Sequence, residues 1–459
     1  MMKNISIKKF SGVCVLACLM ACTESYPGLY APVVDTDNPN PEVSIDRIPI
    51  KLSLTDPAYN IIQRGLGSFG KWEDEKSQER WRKSDFYVYA FLGNNHEFTE
   101  NVNYAGEEVN MALSNDYGDI TPYCLVKNRK VKFTDAAEPT LEWNDVVLDN
   151  GGVEQPYQPY YCLSHPDYMY NFFLYHVDDA EKLAPITYEY NKVIHHIGVD
   201  GTQDVISGYA HATQEDVEKI KDDEESQYLF SNWDKLIYST RAANQGIHPT
   251  FFVEHLMTKL NFKVQGAKTQ TKDIRILNVG VNAKWKGHFT VAKDYVGGWN
   301  WGESANKPAL GIEWENSRRD MYIATENTPN VYGATLDETN CLFNLDIKRD
   351  ENRKPDGEGE ELTLGEILLA PDTRYHIFIR YKVTNDPSLV DQEFVANYSN
   401  VGFLEDGRQF EPGKYYDVTL RIYGPQAIVL EVDKIGMEWM PGNDVNNDNI
   451  DDGMIMEED

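Results

Sequence analysis

Residues 48–54 read "IPIKLSL". Ile48, Ile50, Leu52 and Leu54 take every second position, with Pro49, Lys51 and Ser53 between them. A period of two puts the four aliphatic side chains on one face of a strand and the other three on the opposite face. Pro49 has no N–H to give to a ladder, so the strand belongs at a sheet edge or carries the proline near its start. The same signal recurs outward along the chain. "FYVYAFL" (86–92) is apolar on both faces, as in a sandwich core. "YCLV" (123–126), "KVKFT" (130–134), "LEWNDVVL" (141–148) and "MYNFFLYHV" (169–177) read as further strands. After "RAANQGIHP" (241–249) a second block opens, with strands at 260–266, 273–285, 374–383, 415–424 and 427–439. In the third of these, Tyr375, Ile377, Ile379, Tyr381 and Val383 alternate with His376, Phe378, Arg380 and Lys382. Many short strands separated by turns, with no βαβ alternation and no fixed repeat, predict an all-β sandwich. One helix is expected over 214–226, opened by Thr213 with Asp216 three residues later. The stretch "EDEKSQERWRKSD" (73–85) is polar.

The chain has 459 residues, enough for two or three domains with cores of their own. It is 41% hydrophobic and 25% charged, as globular proteins are, and its 28 Tyr, 18 Phe and 9 Trp suit β structure. The net charge of −31 speaks against nucleic acid and anionic membrane surfaces as partners.

The first residues form a targeting segment. Lys3, Lys8 and Lys9 precede an apolar run, Val13 to Ala21, that is too short to span a bilayer. It ends in "LMAC", which resembles the lipobox of bacterial lipoproteins, where the cysteine is acylated and the chain is cut before it. Cys22 is the expected lipidation site, with Cys18 of "VLAC" second. The division expected is a signal peptide over 1–21, a Pro-, Asn- and Asp-rich linker over 22–43, an N-terminal domain over 44–247, a C-terminal domain over 248–440 and an acidic tail over 441–459. Beyond the signal, Cys124, Cys162 and Cys341 are odd in number and far apart, with neither a disulfide framework nor zinc spacing.

The motifs of catalysis are missing. The sequence has no G-x-S-x-G elbow, no H-E-x-x-H and no Walker loop, and "GLGSFG" (65–70) has the wrong glycine spacing for phosphate. His195 and His196 are adjacent, so on a strand they point to opposite faces and cannot easily share a metal. In the tail, Asp444, Asn446, Asp448 and Asp452 fall at positions 1, 3, 5 and 9 of a calcium loop. Asn449 replaces its glycine and Ile455 its closing acid, which leaves a solvated acidic tail as the reading. No catalytic residue, cofactor or metal is therefore expected. "GGWNWG" (297–302) could show Trp299 and Trp301 on one face as a glycan contact.

Between the first strand and "FYVYAF" lies "YNIIQRGLGSFGKW" (59–72), in which Arg64 stands alone among apolar, small and glycine residues. These stretches, with the lipobox, "FFLYHVDDA" (172–180), "VDGTQDVISGYA" (199–210), "HLMTKLNFKV" (255–264), "VTLRIYGPQAIVLEV" and "MEWMPG", resemble the fimbrillin (type V pilin) lipoproteins of the Bacteroides group. The resemblance spans nearly the whole mature chain and rests on the order of its stretches, none of which is specific alone. It implies two tandem transthyretin-like β-sandwich domains of Greek-key type with few short helices. It implies a non-enzymatic pilus subunit, lipid-anchored and exposed at the outer membrane, then extracellular after processing. The implied partners are other pilin subunits in a head-to-tail polymer, an Arg-directed surface protease, and ligands on host or bacterial surfaces. A cut between Arg64 and Gly65 would free the first strand, and Gly65, Gly67 and Gly70 would let the segment enter a protease. Arg47 ranks below, because a cut there leaves the strand in place, and Arg80 and Arg82 rank third. The chain departs from the family at its end: past 427–439 only Met454, Ile455 and Met456 look strand-like. Either 427–439 donates to a neighbour, or the chain is a tip or an anchor. The rival reading is a monomeric surface lipoprotein that binds glycan for nutrient uptake.

Overall fold

The structure, a computed structural model, describes residues 48–54, 75–92, 124–134, 140–148, 151–161, 170–177, 180–189, 192–210, 213–220, 238–267, 270–293, 310–323, 337–348, 361–389, 392–402, 409–424, 427–438 and 454–455. It is all-β. With strands numbered in chain order, seven of them close into a barrel. These run β1 (Leu52–Leu54), β12 (Thr250–His255), β11 (Ile206–Ala210), β7 (Tyr170–His176), β2 (Phe86–Leu92), β3 (Cys124–Phe133) and β4 (Thr140–Trp143), which returns to β1. Leu52, Leu54, Val88, Phe133, Leu174 and Phe251 fill the interior. A short hairpin of β5 (Val146–Leu148) and β6 (Glu154–Pro156) follows β4.

One helix in this half has no counterpart among the expected elements, and one pair of expected strands is corrected. The run 73–85 contains a helix, α1 (Glu75–Lys83), because one residue in it is core: Trp81 is fully buried, stacks on Phe86 at 5.4 Å and meets Phe133 edge-on at 5.1 Å. The strands expected at 123–126 and 130–134 are one strand, β3, which passes through Asn128 at φ 48° and shifts register against β2. Asparagine tolerates that left-handed conformation. The expected helix start does form: in α2 (Gln214–Ile220) the Thr213 N–H and hydroxyl donate to Asp216, and the Asp216 N–H donates back to Thr213 Oγ1. A short α3 (Thr240–Asn244) is capped by Ser239.

A second sheet lies on the outer face of β2 and β7. Its order is β16 (Gly311–Trp314), β15 (Lys286–Lys293), β10 (Lys192–Gly198) and β8 (Glu181–Lys182), with β9 (Thr187–Glu189) also on β10. Tyr175 of β7 meets His195 at 4.9 Å and Phe289 at 6.0 Å across this contact. Two strands beyond residue 247, β12 and β15, thus pair with strands before it.

The remaining strands form two facing sheets. One runs β19 (Glu361–Leu369), β13 (Thr258–Gly266), β22 (Lys414–Gly424), β23 (Ala427–Glu438) and β24 (Met454–Ile455). The other runs β17 (Arg318–Tyr322), β14 (Ile274–Lys284), β20 (Arg374–Val383) and β21 (Glu393–Gly402), with β18 (Leu345–Ile347) on β14. In β20 the alternation is as read: Tyr375, Ile377, Ile379, Tyr381 and Val383 are buried. This core is continuous with the outer face of β2 and β7 and separate from the barrel interior. Among the described residues no helix is long and apolar enough to cross a membrane.

Candidate functional site

β1 completes the barrel. It runs parallel to β12, with Ser53 opposite Thr250 and Leu54 opposite Phe251, and antiparallel to β4, with Leu52 opposite Leu141 and Ser53 opposite Thr140. The sequence placed this strand at an edge or Pro49 near its start. The second is what occurs: Pro49 precedes the ladder and makes only an isolated bridge to Tyr160. On the approach to β1, Ile50 N–H donates to the Pro159 carbonyl at 3.0 Å and Tyr161 N–H to the Ile48 carbonyl at 3.1 Å. Ser53 N–H reaches the Pro249 carbonyl at 2.9 Å, and the Ser53 and Thr250 hydroxyls bond at 2.6 Å. Trp143 Nε1–H donates to the Ile50 carbonyl at 2.8 Å.

The expected apolar face is the buried one. Ile50, Leu52 and Leu54 are 1%, 5% and 6% exposed and sit in the barrel interior. Burying each contributes roughly 1.5–3 kcal/mol. The ladder proper is three residues long, so β1 is held mainly by these side chains. Behind it Tyr238 is wholly buried, and its hydroxyl oxygen accepts the Thr250 N–H at 3.3 Å; burial pushes this phenol far above its ordinary value. Burial, then the charge of Lys51, holds the His248 imidazole below its ordinary value. At the far end Lys130 and Lys132 close on Asp85 at 2.5 and 3.3 Å. Burial alone would raise that carboxyl, and the two lysines bring it below the usual range.

β1 ends at residue 54 and α1 begins at 75. Arg64 and Gly65 lie between them, outside the described residues, as do Cys22, Cys162, Trp299, Trp301 and the tail loop 443–453. The two lower-ranked arginines, Arg80 and Arg82, lie within α1 on either side of buried Trp81. Cys341 is buried, and its thiol donates to Asn340 Oδ1 at 3.3 Å. The adjacent histidines part as expected. His195 turns inward, where its Nε2–H donates to the Tyr175 hydroxyl oxygen at 3.0 Å while that hydroxyl donates to Asn128. Burial first, then Lys182 and His196, push His195 down to about 4. His196 faces the other way and meets His288 of β15, a neighbour 92 positions away with no local signal in the sequence.

No family model matches the chain, and no curated protein matches it. Solved structures do. A candidate cell-adhesion protein of Bacteroides uniformis is 10% identical over 87% of this chain and 100% of its own, with a TM-score of 0.38. A fimbrial protein of Bacteroides vulgatus is 13% identical over 82% and 98%, at 0.36. The fimbrial anchor protein Mfa2 of Porphyromonas gingivalis is 9% identical over 85% and 98%, at 0.28. These scores are too low for the likenesses to carry a function across, so the functional reading rests on β1 and its seat.

Proposed function

We propose that this chain is a structural and adhesive subunit of a cell-surface pilus, exported as a lipoprotein acylated at Cys22 and assembled by exchange of its first strand. The observation that carries the reading is the seat of β1. One short strand closes the barrel with its two buried leucines and the buried Ile50 just before it, and it is joined to the rest by residues 55–74, which contain Arg64.

Removing β1 would leave facing N–H and C=O groups on β4 and β12 unpaired and the pockets of Ile50, Leu52 and Leu54 empty. An exposed edge of that kind is a template for another strand. A strand from a second subunit supplies main-chain bonds for affinity and alternating side chains for register. Donor and seat are different surfaces, so the contact is head-to-tail and builds a filament. Within this reading an Arg-directed protease cuts between Arg64 and Gly65.

The donor question turns on β23. Val432, Leu430 and Ile428 of β23 are buried in the sandwich, and the strand is paired with β22 along its length and with β24 at Glu431 and Val432. Donation by β23 would cost the chain that burial. A tip or anchor position requires no such loss.

The test is an intact mass with N-terminal sequencing on protein from the native cell surface, beside an Arg64→Ala variant. A chain beginning at Gly65, and an Arg64→Ala precursor that stays lipidated and unpolymerised, are the expected results. Fibres at normal yield from the variant would sink the processing step. An acylated, uncut chain with no fibre partner would favour the monomeric glycan binder.

A further inference from the structure

The outer face of the second sheet carries a pair of histidines that the filament reading does not use. His196 of β10 and His288 of β15 are direct cross-strand partners. Their Nδ1 atoms lie 2.9 Å apart, with the rings nearly perpendicular. Each ring is anchored at its other nitrogen. His196 Nε2 lies 2.7 Å from Thr187 Oγ1, and His288 Nε2 lies 3.3 Å from Glu315 Oε1. A side chain that holds the far nitrogen of an imidazole fixes its tautomer and aims the near nitrogen, the usual arrangement behind a metal-binding histidine.

The proton count is informative. The Glu315 carboxylate can only accept, so neutral His288 carries its proton on Nε2 and presents a lone pair at Nδ1. His196 can fill that lone pair with its own Nδ1–H, while its Nε2 accepts the Thr187 hydroxyl. A hydroxyl can also accept. When Thr187 turns, His196 places its proton on Nε2, and two lone pairs face one another. No proton is gained or lost in the change. Two lone pairs at that separation repel unless a cation seated to one side of the line between them draws on both.

From this geometry we propose that His196 and His288 form a two-imidazole site for a divalent transition ion of tetragonal preference, Cu2+ first. Two nitrogen donors at about 2.0–2.1 Å from one ion and at right angles are about 2.9 Å apart, whereas tetrahedral donors stand about 3.3–3.4 Å apart. The observed 2.9 Å therefore suits the tetragonal geometry of Cu2+ or Ni2+, and Cu2+ leads the affinity order. The surroundings are acidic: Glu313 is opposite His288 across the β15–β16 ladder, and Glu315 follows it. The His288 side chain is 38% exposed, which gives an ion a way in. Among the described residues no three His, Cys, Asp or Glu gather as a metal group, so water completes the coordination. The ion would tie β10, which precedes residue 247, to β15, which follows it.

The experiment uses the untagged full chain with its N-terminal amine blocked, stripped with EDTA and given one equivalent of CuSO4. Electron paramagnetic resonance should show coupling to two nitrogens, and thermal unfolding should shift upward with Cu2+. His288→Ala and His196→Ala should each remove the two-nitrogen signal. Glu315→Gln should leave the fold intact and weaken binding roughly 10–100-fold, the usual loss for a group behind a ligand. Thr187→Val serves the same purpose at His196 should the histidine variants fold poorly. Copper held with parent affinity by both the Glu315→Gln and the His288→Ala variants would overturn the proposal. So would a parent spectrum without two coupled nitrogens, which would mean that the pair shares only a proton.

Discussion

In the barrel the strand that completes the ring is three residues long; in the sandwich, β22 runs eleven residues between β13 and β23 and pairs with both. β1 shares only two registered pairs with each neighbour, whereas β22 shares eight with β13. Both regions have dense apolar interiors, so the difference lies in how ordering is distributed along the chain. The sandwich spreads it over long ladders that must open together. The barrel leaves its last closure to a few side chains, and a region closed in that way opens locally at less cost than the whole molecule.

The comparison can be broken most directly at Leu52. Leu52→Ala should cost roughly 2–5 kcal/mol. By hydrogen exchange the loss should appear in β4 and β12 before β13 and β22; uniform loss across both regions would mean that they open as one unit. Acid tests the join between barrel and second sheet. His195 has a folded value depressed to about 4 by burial, so between its unfolded value near 6.5 and 4 the unfolded chain binds a proton that the folded chain does not. Stability present above about pH 6.5 should fall by about 3 kcal/mol as the pH drops to 4. His195→Gln should flatten that part of the profile in chemical denaturation at a series of pH values.

Two glycines sharpen the contrast. A Cβ on Gly208 of β11 would sit 2.9 Å from the Phe252 carbonyl oxygen and 2.8 Å from Val253 Cγ1, both fixed parts of the barrel wall. Gly208→Ala should cost about 1–3 kcal/mol, as overpacking does. On Gly280 of β14 a Cβ would meet the Phe378 ring, a half-buried side chain that can swing aside, so Gly280→Ala should cost less. Equal losses in urea denaturation would show that the barrel wall gives as readily as that ring. The smallest effect is expected at the start of α2, where Thr213→Ala removes the reciprocal cap and should cost about 1 kcal/mol by thermal melting.

What the sequence made legible follows from what is local. The alternation of 48–54 and 374–383 states which face is buried, and both are seen as read. The α1 helix was hidden because a single buried tryptophan in a charged run has no period. β10, β15 and β21 were passed over because histidine, lysine, asparagine and serine on their outward positions dilute the apolar signal. Of the candidate site, the apolar face of β1 was readable and its seat was not. Ser53 meets Thr250 across 197 positions, and no window of sequence spans that pairing. The His196–His288 contact was missed for the same reason.

One property of the β1 seat reaches further than stability. Its two walls disagree in direction, with β12 running alongside β1 and β4 running against it. A strand that entered backwards would run antiparallel to β12 and parallel to β4, so each ladder would differ from the one that β1 makes. The two directions of entry are therefore unlike, and β1 occupies one of them. Under the proposed strand exchange, subunits joined by filling such seats in series would all point one way, and the filament would have two unlike ends.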